Sequence, residues 1–362
     1  MKIAIRADSG SYIGSGHIMR TLTLASELKK KGHQILFLSK PHDGHVLKVV
    51  EDHGFEVARL KMIPNVSDNA LPHSDWLGGT QLDDAKQCIE KIYETFGAGA
   101  DLVVVDHYGI DELWERYLES RGSHVFVIDD LADRRHCCNL LMDQTYDRKA
   151  TAYSTIVPDN CKLLLGSQFA MLREEFSVDK HEVILSRQQS VNRGMNRVLV
   201  MMGGTDHLDI TSRVLTCLKQ DSTTERVTVV LGPTAVHRKK VAIFCEREGF
   251  ELKVGVSNVA ELMLENDICF GAAGTSSWER CAVGMPSLLV AFADNQRLIA
   301  ENLASKGVIR LLPDDFDIDF VLSELRDLRI SRNYLDTVSN CLEVCDGHGV
   351  KRVIEELFNE RD

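Results

Sequence analysis

No stretch of the 362-residue chain offers the ~20 consecutive apolar residues that a membrane-spanning helix needs. Proline is scarce at 7 residues and aromatics make up only 6%, while 44% of residues are hydrophobic, which excludes collagen-like and extensively disordered classes. Ten cysteines are scattered along the chain without a C-x-x-C pair or zinc-ligand spacing, so they read as buried thiols. Positive charge is in the minority. Forty-two basic residues against 54 acidic ones leave a net charge of −12, which disfavours sequence-independent binding to nucleic acid or an anionic membrane. An anionic small ligand is not excluded, because backbone amides and a local arginine can cradle one. The segment Met1–Asp8 alternates charged and apolar residues and lacks the apolar core of a secretory signal, so the expectation is a cytoplasmic protein.

What is present is a repeated α/β pattern. Lys2 to Ala7 alternates like a strand, Asp8 to Gly16 is a Ser/Gly loop, and Ile18, Leu22, Ala25 and Leu28 recur at helical spacing. Gly32 stands where a helix-ending glycine belongs, and Gln34 to Leu38 forms the next strand. The opening is therefore a βαβ unit. Strands at Asp101–Asp106 and Val125–Asp130 and helices at Gln81–Phe96 and Asp111–Arg121 continue it. Residues 62–80 form a long polar loop of the kind more often functional than idle. A polar stretch, Ser177 to Asn196, is the expected linker, and the strand–helix pattern restarts at Arg197. The expected organisation is a domain over 1–176, a linker over 177–196, a second domain over 197–345 and a C-terminal helix within 346–362. Each domain reads as a parallel, Rossmann-like α/β fold, the two facing a central cleft.

Four segments carry residues suited to chemistry. Gly14-Ser15-Gly16-His17 lies between a strand and a helix, where glycines admit close approach and a helix N-terminus favours an anion. It is neither a dinucleotide fingerprint nor a P-loop, since Met19 and Arg20 replace the required residues. The helix dipole favours a neutral His17 able to accept a proton, although the same histidine could merely cap its helix. Asp106-His107-Tyr108-Gly109 ends an apolar strand, as a functional loop or as an ordinary turn. Gly203-Gly204-Thr205-Asp206 is a second strand-to-glycine loop that could admit a phosphate. The fourth segment, Gly271 to Glu279, is followed by Gly284-Met285-Pro286 and Asp294-Asn295-Gln296. There Glu279 fits either a capping box with Ser276 or a carboxylate bonded to ribose hydroxyls.

Together these motifs resemble the UDP-2,4-diacetamido-2,4,6-trideoxy-β-L-altropyranose hydrolase family of pseudaminic acid biosynthesis. Ile5-Arg6-Ala7-Asp8-Ser9 and Phe169 to Phe176 add to the likeness, which covers residues 1 to about 310. The second half also resembles the peptidoglycan N-acetylglucosaminyltransferase. The resemblance implies a GT-B fold and metal-independent hydrolysis of a UDP-sugar, with no cofactor. It implies His17 as general base, Gly203, Gly204 and Gly274-Thr275-Ser276 around the diphosphate, Glu279 on ribose, and the backbone at Asn258 and Val259 on uracil. The expected substrate-binding set further includes Gly14, Ser15, Gly16, Arg20, Asp106, His107, Tyr108, Thr205, Asp206, Asn295 and Gln296. The partner expected is a small UDP-sugar, with no nucleic acid and no stable membrane association. The rival reading is a glycosyltransferase of the same fold using a UDP-sugar donor. The tail from Leu311 onward extends past the likeness, and its acidic run Asp314-Asp315-Phe316-Asp317 reads as a solvated turn.

Overall fold

A computed structural model describes residues 1–63, 71–203, 206–233, 235–291 and 294–358, apart from the side chains of Asp294, Asn295 and Leu298. The chain divides into two compact units. Unit 1 is Met1–Met171 with His348–Asp362, and unit 2 is Leu172–Gly347.

Unit 1 is built on seven parallel strands: β1 (Lys2–Ala7), β2 (Gln34–Ser39), β3 (Glu56–Arg59), β4 (Leu102–Asp106), β5 (His124–Ile128), β6 (Leu140–Asp143) and β7 (Lys162–Leu165). Their order is β3-β2-β1-β4-β5-β6-β7. The helices α1 (Gly16–Lys30), α2 (Leu47–Asp52), α3 (Gln81–Phe96) and α4 (Glu112–Glu119) connect the strands. Central strands are apolar on both faces because both are covered, as in Leu102-Val103-Val104-Val105, every residue of which is buried. A polar network sits at their C-terminal ends. Arg6 donates to Asp8 at 2.6 Å and to Asp84 at 2.9 Å, while Lys40 lies 3.0 Å from Asp84, so two buried cations face two buried carboxylates.

Unit 2 repeats the plan with six parallel strands: β8 (Arg197–Met201), β9 (Arg226–Leu231), β10 (Glu251–Val254), β11 (Ile268–Ala272), β12 (Ser287–Val290) and β13 (Ile309–Leu311), ordered β10-β9-β8-β11-β12-β13. Its helices are α5 (Lys180–Asn192), α6 (Ile210–Leu218), α7 (Arg238–Glu248), α8 (Val259–Glu265), α9 (Ser276–Ala282), α10 (Asp294–Ser305), α11 (Ile318–Leu328) and α12 (Ser331–Val344). The last helix, α13 (Gly349–Phe358), returns to unit 1 and buries Val350, Val353 and Ile354 in its core. A side chain at Gly349 would strike the Ala170 carbonyl, its Cβ only 2.2 Å from that oxygen, so only glycine lets the returning chain pass.

The polar stretch 177–196 is not a linker. It lies inside unit 2, and most of it is α5. Asp179 caps this helix by accepting from the His181 and Glu182 amides. The helix looks hydrophilic because its main buried anchor is an arginine. Arg187 is fully buried and donates to the carbonyls of Met263, Asn266 and Val283, at the C-terminal ends of α8 and α9. One guanidinium thus satisfies backbone acceptors that helices leave without partners. The acidic run near 314 is also more than a solvated turn. Phe316 is buried and Asp317 caps α11 through the Phe320 amide. Asp317-Ile318-Asp319 has Asp-x-Asp spacing, but the first carboxylate is spent on that cap.

Arg187→Met should therefore cost about 3–5 kcal/mol in urea unfolding, since it strands buried carbonyls and removes charge-assisted bonds. Lys180→Ala, on the exposed start of the same helix, should stay within about 0.5 kcal/mol. Equal effects of the two would contradict the anchoring role of Arg187.

Candidate functional site

In unit 1 the strand order changes direction between β1 and β4, which pair in parallel with Ala7 opposite Asp106. Chains leaving two such neighbours run to opposite sides and open a crevice at their C-terminal ends, where α/β proteins place ligands. The loop after β1 is braced by paired backbone bonds between Gly10 and Gly14, and Gly14 takes a φ of +78°. Gly14, Ser15 and Gly16 are exposed, and a Cβ at Gly14 or Gly16 would meet nothing within 4 Å. Ser15 precedes α1 without making a side-chain cap, and the first turn holds no acidic residue.

The next residue, His17, is almost buried and places Nδ1 at 2.5 Å from Asp106 Oδ1. Arg20, one helical turn on, grips the same carboxylate with Nε at 2.6 Å and a second nitrogen at 2.7 Å. Burial alone would raise the Asp106 pKa, but the Arg20 guanidinium and the His17 imidazole outweigh it and hold the carboxyl at about 2. An ionised carboxylate can only accept, so the shared proton sits on His17 Nδ1. In the neutral ring Nε2 is then the nitrogen that can accept a proton, oriented by a charged partner behind it. This is the base-and-orienter arrangement used in general-base catalysis. Tyr108 meets the His17 ring edge-on at 4.7 Å and Trp76 does so at 6.4 Å, while His73 packs against both Trp76 and Tyr108 to complete an aromatic wall.

Three residues expected to contact substrate turn inward instead. Asp106 is fully buried with both oxygens engaged. Arg20 is divided between Asp106 and Asp130, the latter at 2.5 Å. His107 accepts the Gly109 amide at 3.0 Å and lies 3.2 Å from Asp8, part of the buried network beneath the site. Burial lowers its pKa despite the nearby Asp8 charge. The charges of these side chains are matched by internal partners because an unmatched buried charge is costly. Asp130, which accepts from Arg20 and from the Tyr108 hydroxyl at 3.0 Å, was not legible as part of the site. Its only signal was its place as the last residue of the expected strand Val125–Asp130.

Unit 2 has its own order reversal, between β8 and β11. A cavity of about 410 Å³ lies there, lined by Met202, Gly203, Asp206, Gly274, Thr275, Ser276 and Gln296 among others. A Cβ at Gly203 or Gly274 would meet nothing within 4 Å, so both glycines leave open wall. Asp206 borders the cavity, but its carboxylate is engaged by the chain. Its two oxygens accept the Ile210 and Thr211 amides at 3.0 Å each and start α6. Gly204 and Thr205 lie outside the described residues, as does the Asn295 side chain. Arg280, buried and unheralded in the sequence, pins the turn by donating to Ala272 O, Ser276 Oγ and Ser277 Oγ.

Glu279 does not form the capping box with Ser276: Ser276 is the first residue of α9, the cap position before it is Thr275, and no side chain caps the helix. Its carboxylate is 20% exposed and lies 3.5 Å from Arg173, which also donates to the Ser257 carbonyl at 3.2 Å. Burial raises the Glu279 pKa, and Arg173 opposes that only in part. Arg173 thereby gathers Glu279 and the turn before Asn258 and Val259 around one guanidinium. Asn258 Nδ2 donates to Glu261 at 2.5 Å and precedes α8 without capping it. Among the described residues no group of three or more His, Cys, Asp or Glu could hold a metal ion, and no helix is long and apolar enough to cross a membrane.

No family model matches the chain. It is 25% identical over 313 residues, 85% of its length and 97% of the relative's, to the UDP-2,4-diacetamido-2,4,6-trideoxy-β-L-altropyranose hydrolase of Campylobacter jejuni. It is 25% identical to an uncharacterised protein of Methanocaldococcus jannaschii, over 99% of this chain and 70% of that one. It is 20% identical to the spore coat polysaccharide biosynthesis protein SpsG of Bacillus subtilis, over 99% of both. Among solved structures, MurG of Acinetobacter baumannii superposes with a TM-score of 0.69 at 13% identity, covering 99% of both chains. Anabaena HepE in complex with UDP gives 0.62 at 14% identity, over 99% of this chain and all of that one. The motif resemblance thus extends along most of the chain, and the fold is of the GT-B type.

The Asp106 carboxyl, held at about 2 against an ordinary 3.8, stabilises the folded state above the higher value and loses that contribution as pH falls through the lower. The contribution is about 2 kcal/mol. In urea unfolding, the stability gap between wild type and Asp106→Asn should narrow by that amount between about pH 4 and pH 2. A gap independent of pH would contradict the buried, ionised carboxylate.

Proposed function

We propose that the protein hydrolyses a UDP-linked 2,4-diacetamido-2,4,6-trideoxy hexose of the altropyranose type, releasing UDP and free sugar. The observation that carries this reading is the His17–Asp106 pair at 2.5 Å, set beside exposed glycines at the start of α1. A pair of this kind has a use when water must be deprotonated. The likeness to the Campylobacter jejuni hydrolase supplies the substrate class. The sugar released would feed nonulosonic acid synthesis for surface or flagellar glycans.

In this mechanism unit 2 binds UDP. Gly203 and the Gly274-Thr275-Ser276 turn receive the diphosphate, Glu279 the ribose, and the Asn258-Val259 backbone the uracil. Unit 1 supplies the base to the sugar. His17 Nε2 takes a proton from water while the water oxygen attacks C1. The C1–O bond to UDP breaks, and its electron pair leaves with the β-phosphate. Asp106 stabilises the imidazolium that forms, as the buried carboxylate of a Ser-His-Asp triad does. Backbone N–H groups of the glycine turns stabilise the departing anion. A double displacement would need a carboxylate nucleophile at C1. Asp106 is unsuited to that role with both oxygens engaged and no exposure, which supports single displacement with inversion.

Incubation with the UDP-sugar and no acceptor separates hydrolysis from glycosyl transfer. UDP and free sugar should appear in equal amounts, whereas UDP release only on adding an acceptor would favour the transferase. His17→Ala should lower turnover by about 10²–10⁴-fold while UDP binding is retained. A near-wild-type rate would remove His17 as base. Glu279→Ala should weaken UDP binding in calorimetric titration by about 10- to 150-fold, the loss of a hydrogen bond to a charged group. A drop in melting temperature with unchanged UDP affinity would assign Glu279 to the fold alone.

A further inference from the structure

The groups around His17 close into a ring. His17 bonds Asp106, Asp106 bonds Arg20, Arg20 bonds Asp130, Asp130 accepts from Tyr108, and the Tyr108 ring rests edge-on against His17. Asp130, like Arg20, makes no bond to the imidazole itself, and its role follows from charge. Were Arg20 bound to Asp106 alone, the pair would be neutral, and the carboxylate behind His17 would be largely compensated. With Asp130 on the same guanidinium, two carboxylates share one cation, and a net negative charge faces the imidazole. Asp130 Oδ1 is buried and accepts no hydrogen bond among the described residues, so its charge is not spent elsewhere.

We infer that Asp130 is a positioning residue for His17. Through Arg20 it leaves Asp106 its negative charge, and through the Tyr108 hydroxyl it holds the aromatic wall against the imidazole. The inference rests on His17 acting as the base. Other charged or titratable groups face this ring from every side. Arg134 lies over the Tyr108 ring at 5.9 Å. His73 lies on the aromatic wall with Asp133 and Arg134 near it. Behind Asp130, Arg148 donates to its carbonyl and to Asp143, whose carboxyl is pushed up to about 6 by burial and by the Asp130 charge. Arg134, His73, Asp133 and Arg148 keep their places in a variant of Asp130 alone, whereas Asp143, relieved of the Asp130 charge, ionises more readily, so Asp130→Asn is compared with wild type in Asp143→Asn protein as well as in the native background.

The test is the His17 titration, followed by NMR in histidine-labelled protein. Losing one negative charge from the Arg20 cluster disfavours imidazolium, so the His17 transition in Asp130→Asn should lie at lower pH than in wild type. The acid limb of kcat/KM should move down by the same amount, with plateau kcat within about tenfold. Asp130→Glu, which keeps the charge, should restore the wild-type titration. Tyr108→Phe, which removes only the hydroxyl, should shift it by less than about a third as much. An unchanged or raised His17 titration in folded Asp130→Asn overturns the inference. If that variant does not fold, Asp130→Ser carries the same expectation. The NMR shift stands apart from turnover: a downward shift supports the inference whatever His17→Ala does to the rate, and that rate tests the base itself.

Discussion

An ionised carboxylate with no access to water is costly unless every lone pair finds a donor. Asp106 is in that position at the end of the central strand of unit 1, and much of the local structure follows from satisfying it. Arg20 must lie one turn into α1 to grip it with two nitrogens, and His17 must lie at the first turn to supply the remaining donor. Those demands fix where α1 begins relative to β4, and so place the exposed glycines of the preceding loop beside the imidazole. Arg20 then carries a further grip, on Asp130, and Asp130 carries Tyr108. The same carboxylate that costs folding energy to bury sets the tautomer of His17 and leaves its outer nitrogen suited to chemistry.

The two units share strand order and differ in what they bury. Unit 1 concentrates charge at its strand ends: Arg6, Asp8, Lys40 and Asp84 lie beneath the loop that carries His17. Unit 2 uses buried arginines on backbone oxygens instead. Arg187 closes the ends of α8 and α9, and Arg280 holds the turn before α9. This leaves part of the cavity wall to the small residues Gly203, Ala272, Gly274, Thr275 and Ser276, where a polyanion could approach peptide N–H groups.

Much of this was legible in the sequence. The uninterrupted apolar strands and the helix after Gly16 could be read from periodicity, and the glycine loops marked both strand-order reversals. Four of the strands of three or four residues, β6, β7, β10 and β13, were not, because so few residues carry little pattern. Helix α5 escaped because its anchoring side chain, Arg187, counts as polar in any hydropathy reading. Within the site, residue type announced chemistry but not direction. Arg20, Asp106, His107 and Asp206 look like ligand contacts and are engaged internally, since a one-dimensional pattern does not say which carboxylate meets which guanidinium. Asp129 and Asp130 illustrate this: neighbours in sequence, the first bonds Arg134 and Tyr153, the second Arg20 and Tyr108.

The central claim is that the water activated at His17 attacks carbon rather than phosphorus. Turnover of the UDP-sugar in ¹⁸O-labelled water tests it directly. The account predicts label in the sugar hydroxyl at C1 and none in UDP, with the anomeric configuration inverted in the first-formed product. Label in the UDP phosphate, or retained configuration at C1, would contradict it.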